Sequence, residues 1–319
     1  MGEFQSIGQW WMWASFGLFV VAMLTIDIFA LDRKGAHKVS TKEALIWSLI
    51  WFTLALLFGV ALWTWLNQTL GRTIADAKTM EYLTGYLLEK TLAIDNIFVF
   101  VMLFSYFAVP VEYQKRVLVY GVLGAIILRA LMILVGAWLI AEFHWILYLF
   151  GGFLLVTGIK MFIFADQEPN LAKNRLLIWL RSHIRITDDY HGDKFWIVKK
   201  GVLWFTPMFL VLILVEISDV IFAMDSIPAI FAITSDPFIV FTSNIFAILG
   251  LRALYFLLAD MANRFHLLKY GLAIILMFVG TKMLIVEWLK IPIAVSLSVV
   301  IAVLGISILL SLKATRSIK

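Results

Sequence analysis

An all-α polytopic membrane protein of about nine transmembrane helices is the fold class this sequence predicts, and three observations predict it. Of its residues 63% are hydrophobic and only 15% charged, with a mean hydropathy of +0.97. A soluble domain is closer to half apolar and a quarter charged. Nine apolar segments reach the ~20 residues that a helix needs to cross a hydrocarbon core. Finally, three short motifs recur in the same order and at nearly the same spacing.

The expected spans are 10–31, 44–66, 81–109, 117–141, 145–164, 202–232, 237–262, 270–289 and 291–312. Trp10, Trp11 and Trp13 at the head of the first span suit an interfacial aromatic belt. No Lys or Arg precedes that span, so it lacks the basic start of a secretory signal and is expected to be retained. Of the 26 Lys and Arg residues, 18 fall in one set of alternate loops and the tail, against three (Arg72, Lys78, Lys290) in the other set. This bias predicts an N-terminus outside and a C-terminus in the cytoplasm of a bacterial inner membrane. It also accounts for the formal charge of +5.

The repeat aligns Asp95-Asn96-Ile97-Phe98-Val99 with Asp219-Val220-Ile221-Phe222-Ala223, Leu128-Arg129-Ala130-Leu131 with Leu251-Arg252-Ala253-Leu254, and Gly158-Ile159-Lys160 with Gly280-Thr281-Lys282. Each unit holds three spans, so the second enters the membrane from the opposite side. Spans 3–5 and 6–8 are therefore expected to form an inverted repeat with a site near the midplane. The chain divides into an N-terminal two-helix segment (1–79), a first three-helix repeat (80–164), a cytoplasmic loop (165–201), a second, inverted repeat (202–290) and a C-terminal helix with a basic tail (291–319). In the loop, Leu176 to Leu180 with Arg175, Arg181 and Arg185 read as a short amphipathic helix on the membrane surface. Asp188, Asp189, His191 and Asp193 read as a solvated cluster, with regulatory metal binding as the alternative.

Two acidic stretches carry the chemistry. The second, Leu214 to Pro228, sets Glu216, Asp219 and Asp225 in an apolar run from Val202 to Ile233 with no other charge. The first, Glu89 to Val99, holds Glu89, Asp95 and Asn96. A carboxylate at bilayer depth costs about 2.5–3.5 kcal/mol on insertion scales, so such a residue is a functional candidate by default. On a helix Glu216 and Asp219 share a face and Asp225 points away. Pro228 cannot donate to the Met224 carbonyl, so a local break there is expected to turn Asp225 inward. Five carboxylates, the Asn96 amide and the Ser226 hydroxyl form an oxygen-only donor set, suited to Mn²⁺, Ca²⁺ or Mg²⁺. The sequence holds no cysteine, and neither stretch contains a histidine. In the opposing reading these acids only pair with the five cations within spans. Lys160 and Lys282 near helix ends are expected to snorkel to the interface, leaving acids in excess. Arg129 and Arg252 are then counter-charges that organise the carboxylates. Gly121, Gly124, Gly136, Gly151 and Gly152 are expected to admit close helix packing.

The segments Glu89 to Val99 and Glu216 to Ala229 resemble the two signatures of the TerC family, and the similarity extends over nearly the whole chain. It is closest to the Alx-like branch, which is associated with Mn²⁺ export. The resemblance implies metal transport by Glu89, Asp95, Glu216, Asp219 and Asp225. A carboxylate-lined route should repel an oxyanion, so the family's nominal link to tellurium does not make tellurite the substrate. No nucleotide-binding G-x-x-x-x-G-K-[ST] motif is present. The expectation is a secondary transporter, not an enzyme, exporting Mn²⁺ or another hard divalent cation, in exchange for protons. Its surroundings are the lipid bilayer, and no resident cofactor, nucleic acid or protein partner is expected. The alternative is a membrane scaffold or assembly factor whose buried acids are structural. An intramembrane aspartyl protease ranks last, because G-x-G-D is absent.

Overall fold

The computed structural model describes residues 6–32, 40–143, 145–163, 179, 182–259, 267–289 and 291–316; the side chains of residues 27–32, 94, 95, 98, 312 and 314–316 lie outside that description. The expected amphipathic helix at 176–180 also lies outside it, except for Trp179. The helices are α1 (Trp10–Asp32), α2 (Thr41–Thr69), α3 (Arg72–Tyr106), α4 (Val111–Glu142) and α5 (Ile146–Ile163), followed by strands β1 (Trp196–Lys199) and β2 (Val202–Phe205). Then come α6 (Pro207–Phe231), α7 (Pro237–Leu249), α8 (Leu251–Leu258), α9 (Leu268–Leu284) and α10 (Ile293–Arg316). The protein is an all-α membrane protein carrying one small hairpin.

Local chemistry sets the helix boundaries. Ser40 caps α2 by accepting from the Glu43 amide at 3.2 Å. Pro207 and Pro237 open α6 and α7, where a missing N–H costs nothing. Asp236 caps α7 through the Phe238 amide at 2.9 Å and also holds the Ile7 amide and the Ser6 hydroxyl. The sixth expected span begins late. Val202–Phe205 pairs antiparallel with Trp196–Lys199, so the helix starts at Pro207 and not at 202.

Among the described residues, five helices (α2, α4, α5, α6, α10) are long and apolar enough to cross a membrane, or six if α7 and α8, bent by 40°, form one span. The apolar part of α1, Trp10–Ile26, is shorter, and α9 has 17 residues. Helix α3 is the instructive case. It carries seven charged residues over 35 positions and packs against α2, α6, α7 and α10. A helix surrounded by other helices has no need of an apolar surface facing lipid.

The packing is reciprocal: α3 lies on α7, α4 lies on α6, and α5 lies along α9. At the last contact glycines let the backbones approach. A Cβ on Gly280 would come within 2.7 Å of the Gly151 carbonyl oxygen, and one on Gly158 within 2.9 Å of the Ala273 carbonyl oxygen. Gly152, by contrast, would bring a Cβ within 4 Å of nothing among the described residues.

The hairpin docks through its flanks. Phe195 is buried, and Ile184, Ile186 and Tyr190 join it against Phe104, Val117 and Met208. Tyr190 donates to the Phe107 carbonyl at 2.6 Å, and burial pushes its phenol above the usual value, which keeps it a donor. Arg116 pairs with Asp193 at 2.5 Å.

Candidate functional site

Arg129 is the centre of the site. It lies on the buried face of α4 and is 1% exposed. Its Nε and Nη2 donate to the two carboxylate oxygens of Asp219 on α6, at 3.1 and 2.8 Å. Such a bidentate guanidinium–carboxylate pairing fixes orientation as well as charge. Its Nη1 forms an ion pair with Glu89 of α3 and reaches the Ser226 hydroxyl at 3.3 Å and the Asn244 amide oxygen at 3.4 Å. One side chain thus ties α3, α4, α6 and α7 together. Buried charges persist only when paired, and this guanidinium pairs two carboxylates at once. The trio keeps one negative charge in excess.

The other predicted ligands are placed differently. Glu216, one turn before Asp219, is half-buried and its carboxylate lies over Gly124, where a Cβ would collide with it. Gly124 was expected to bring backbones together; it makes room for a carboxylate instead. Glu216 Oε2 and Asn96 Oδ1 are buried atoms with no hydrogen-bond partner among the described residues. Asn96 sits two turns from Glu89 on α3 and is 1% exposed. The backbone of Asp95 is helical, and its side chain lies outside the described residues.

Asp225 does not join the cluster. Helix α6 continues through Pro228 to Phe231, so the expected break is absent. The proline lies within the last turn, so the bond it cannot make to the Met224 carbonyl leaves only three further helical residues to be displaced. Asp225 therefore keeps the direction that helical spacing gives it, half-buried and hydrogen-bonded to Thr157 of α5. Among the described residues no three of Asp, Glu and His converge on a point that could hold a metal ion. Asp188, Asp189, His191 and Asp193 likewise form no such group, and Asp193 is engaged by Arg116.

The cations sort themselves by helix position. Lys90 is turned from the acids: it donates to the Ala247 carbonyl at 3.2 Å, and a Cβ on Gly250 would stand 2.6 Å from its Nζ. Ala247 belongs to the last turn of α7, where the helix dipole favours a positive charge. Arg252 is buried at the second position of α8, the counterpart of Arg129. Lys160 is exposed, whereas Lys282 does not snorkel: it is 9% exposed and donates to Ser296 of α10 at 3.0 Å. The start of α10 covers it and supplies a hydroxyl.

Two features escaped the sequence reading. Asn244 is fully buried on α7 and joins Arg129, and an amide in an otherwise apolar span was the available signal. Glu81 is also buried, accepting from Thr234 at 2.5 Å and Lys78 at 2.8 Å, with Lys282 a charged neighbour. Glu81 stood at the predicted edge of a span, where interfacial solvation hid its role.

With this geometry in place, comparison with known proteins fixes the kinship. The chain is 56% identical over 306 residues to a protein of Escherichia coli strain K12 named "Putative membrane-bound redox modulator Alx", covering 96% of this chain and 95% of that protein. A protein of the same name from Salmonella typhi is 55% identical over the same length, again covering 96% of this chain and 95% of that protein. An uncharacterized membrane protein of Myxococcus xanthus, STKORF319, is 48% identical over 316 residues, covering 99% of this chain and 96% of that protein. No solved structure matches. The sequence pattern of the integral membrane protein TerC family matches residues 74–319, which takes in both acidic stretches, and the chain belongs to that family.

Proposed function

We propose that the protein is a secondary transporter that exports a hard divalent cation, Mn²⁺ first, across the bacterial inner membrane, using the oxygens gathered around Arg129. The observation that carries this reading is a surplus of acceptors at bilayer depth. Glu89 and Asp219 share one guanidinium, while Glu216 Oε2 and Asn96 Oδ1 lack a hydrogen-bond donor among the described residues. Buried acceptors without donors are costly, and a cation with oxygen-only preference satisfies them. In this account the guanidinium stands between Glu89 and Asp219 as a tethered cation in the ion-free state. Mn²⁺ displaces it and draws on Glu216 and Asn96. Asp225, facing α5, serves a later position along the route.

The reciprocal packing of α3 with α7 and α4 with α6 supports an inverted repeat of three-helix units. So does the mutual glycine contact, since Gly151 and Ala273 occupy matching places in the two units, as do Gly158 and Gly280. On this reading the chain spans nine times, with α1, α3 and α9 crossing beside the more apolar helices, the N-terminus outside and the C-terminus in the cytoplasm. Moving a divalent cation out against an interior-negative potential costs about 4.6 kcal/mol per 100 mV, and exchange for two protons cancels that electrical cost. The name of the Escherichia coli and Salmonella typhi relatives speaks of redox modulation. This sequence holds no cysteine, so such an effect here would run through the ion carried.

One observation favours a second reading. Arg129 joins four helices, as it would in a membrane scaffold whose acids are structural. Flux in proteoliposomes separates the two, with Mn²⁺, Ca²⁺, Mg²⁺ and Zn²⁺ tested in parallel at fixed voltage, with and without a proton gradient. Saturable Mn²⁺ flux that responds to the proton gradient supports the antiporter. Equal Mn²⁺ flux in both conditions removes the proton coupling, and no flux from folded protein leaves the scaffold.

A further inference from the structure

The β1–β2 hairpin takes no part in the acidic cluster, yet its composition is unlike that of a solvated loop. Seven of the ten residues from Trp196 to Phe205 are large and apolar. The register pairs Trp196 with Phe205 and Val198 with Leu203, which puts these four on one face. On that face Trp196 is 56% exposed, Val198 70% and Leu203 48%. An isolated two-stranded hairpin is marginal in water, and a contiguous apolar face of this kind marks a surface that meets something.

The hairpin is held firmly in position. Its tip is a two-residue turn, Lys200 and Gly201, both at positive φ (52° and 74°), which matches the twist of paired strands. At its base Thr206 donates to the Lys194 carbonyl at 2.6 Å, and Phe205 stacks on Phe209 in the first turn of α6 with ring centroids 4.2 Å apart. Only Thr206 separates β2 from α6, a helix apolar enough to span. The hairpin therefore stands at the level where α6 leaves the hydrocarbon. Lys194 and Lys200 are exposed at the two ends of the first strand, Lys199 is exposed on its opposite face, and no acidic residue occurs from Lys194 to Thr206.

We propose that this hairpin is a membrane-surface anchor: Trp196, Val198 and Leu203 settle into the boundary between headgroups and acyl chains, and Lys194 and Lys200 hold anionic phospholipid headgroups. Tryptophan suits that boundary, and each Lys near an anionic leaflet strengthens binding about fivefold. Charge and continuity with α6 favour lipid over a second protein chain as the occupant. The inference is independent of what the acidic cluster carries.

The chain has no cysteine, so one introduced thiol reports alone. Val198→Cys is spin-labelled in the full-length protein in nanodiscs of phosphatidylcholine, with or without phosphatidylglycerol. Collision with oxygen and with a nickel chelate then gives depth, and Asp188→Cys in the exposed loop serves as the aqueous control. With phosphatidylglycerol the label is reached by oxygen more than by nickel. Lys194→Gln and Lys200→Gln each shift the insertion equilibrium about fivefold toward water. A label reached by nickel as freely as the control overturns the proposal. So does a label shielded from both reagents, which would mean a protein cover, and so does equal insertion in the two lipids.

Discussion

Arg129 holds two carboxylates from different helices, and its removal leaves both buried and uncompensated. Arg129→Gln is expected to lower stability by about 3–5 kcal/mol, the usual cost of breaking one side of a buried pair. Thermal unfolding in detergent checks this, and an unchanged midpoint would mean that the acids were already neutral. Gly124 offers a gentler test. A Cβ there meets the Glu216 carboxylate, so Gly124→Ala should cost about 1–3 kcal/mol and reduce transport. Combining it with Glu216→Ser, which empties the space, should remove most of the stability cost. If the penalty persists in the double variant, the crowding lies elsewhere. At this scale the sequence was informative about which residues matter. Glu89, Asp219, Arg129 and Ser226 meet, and each stood out as polar within an apolar run. It named Arg129 as a counter-charge to the carboxylates but not which acids it meets, because three-dimensional pairing decides whether a buried acid meets a guanidinium, a glycine or a threonine.

Helical elements were legible wherever apolar runs are long, and less so where tertiary contacts replace lipid. Each of the nine expected segments holds a helix among the described residues, though the sixth opens as a strand, and α3 owes its polarity to a surrounding ring of helices that no local pattern records. Lys282 and the late start of α6 have the same cause: α10 covers one, and strand pairing captures the residues before the other. The α5–α9 contact yields an element-scale prediction. Gly280→Ala forces a Cβ toward the Gly151 carbonyl and the Leu155 amide, both at 2.7 Å, where backbone cannot step aside. It should cost about 1–3 kcal/mol, whereas Gly152→Ala, with nothing within 4 Å, should leave the unfolding midpoint unchanged. Equal behaviour of the two variants would contradict the close approach of these helices.

For the whole molecule, the membrane class follows from composition alone, while the number of crossings rests on helices whose polarity reflects burial. In the proposed repeat the two units would contribute acids and counter-charges to a shared interior; Arg129 of α4 grips Asp219 of α6. An architecture in which each unit completes the other's site suits alternating exposure to the two sides of a membrane. The central claim is that this shared oxygen cluster carries a divalent cation. Its most direct test is saturable Mn²⁺ flux in proteoliposomes for the unaltered protein and Glu216→Gln, side by side, with the unfolding midpoint of each measured in the same lipid. The account predicts that flux falls about tenfold or more while the midpoint holds, since Glu216 supplies an oxygen to the ion and its Oε2 meets no donor among the described residues. Undiminished flux in Glu216→Gln, or no Mn²⁺ flux from either folded protein, would contradict it.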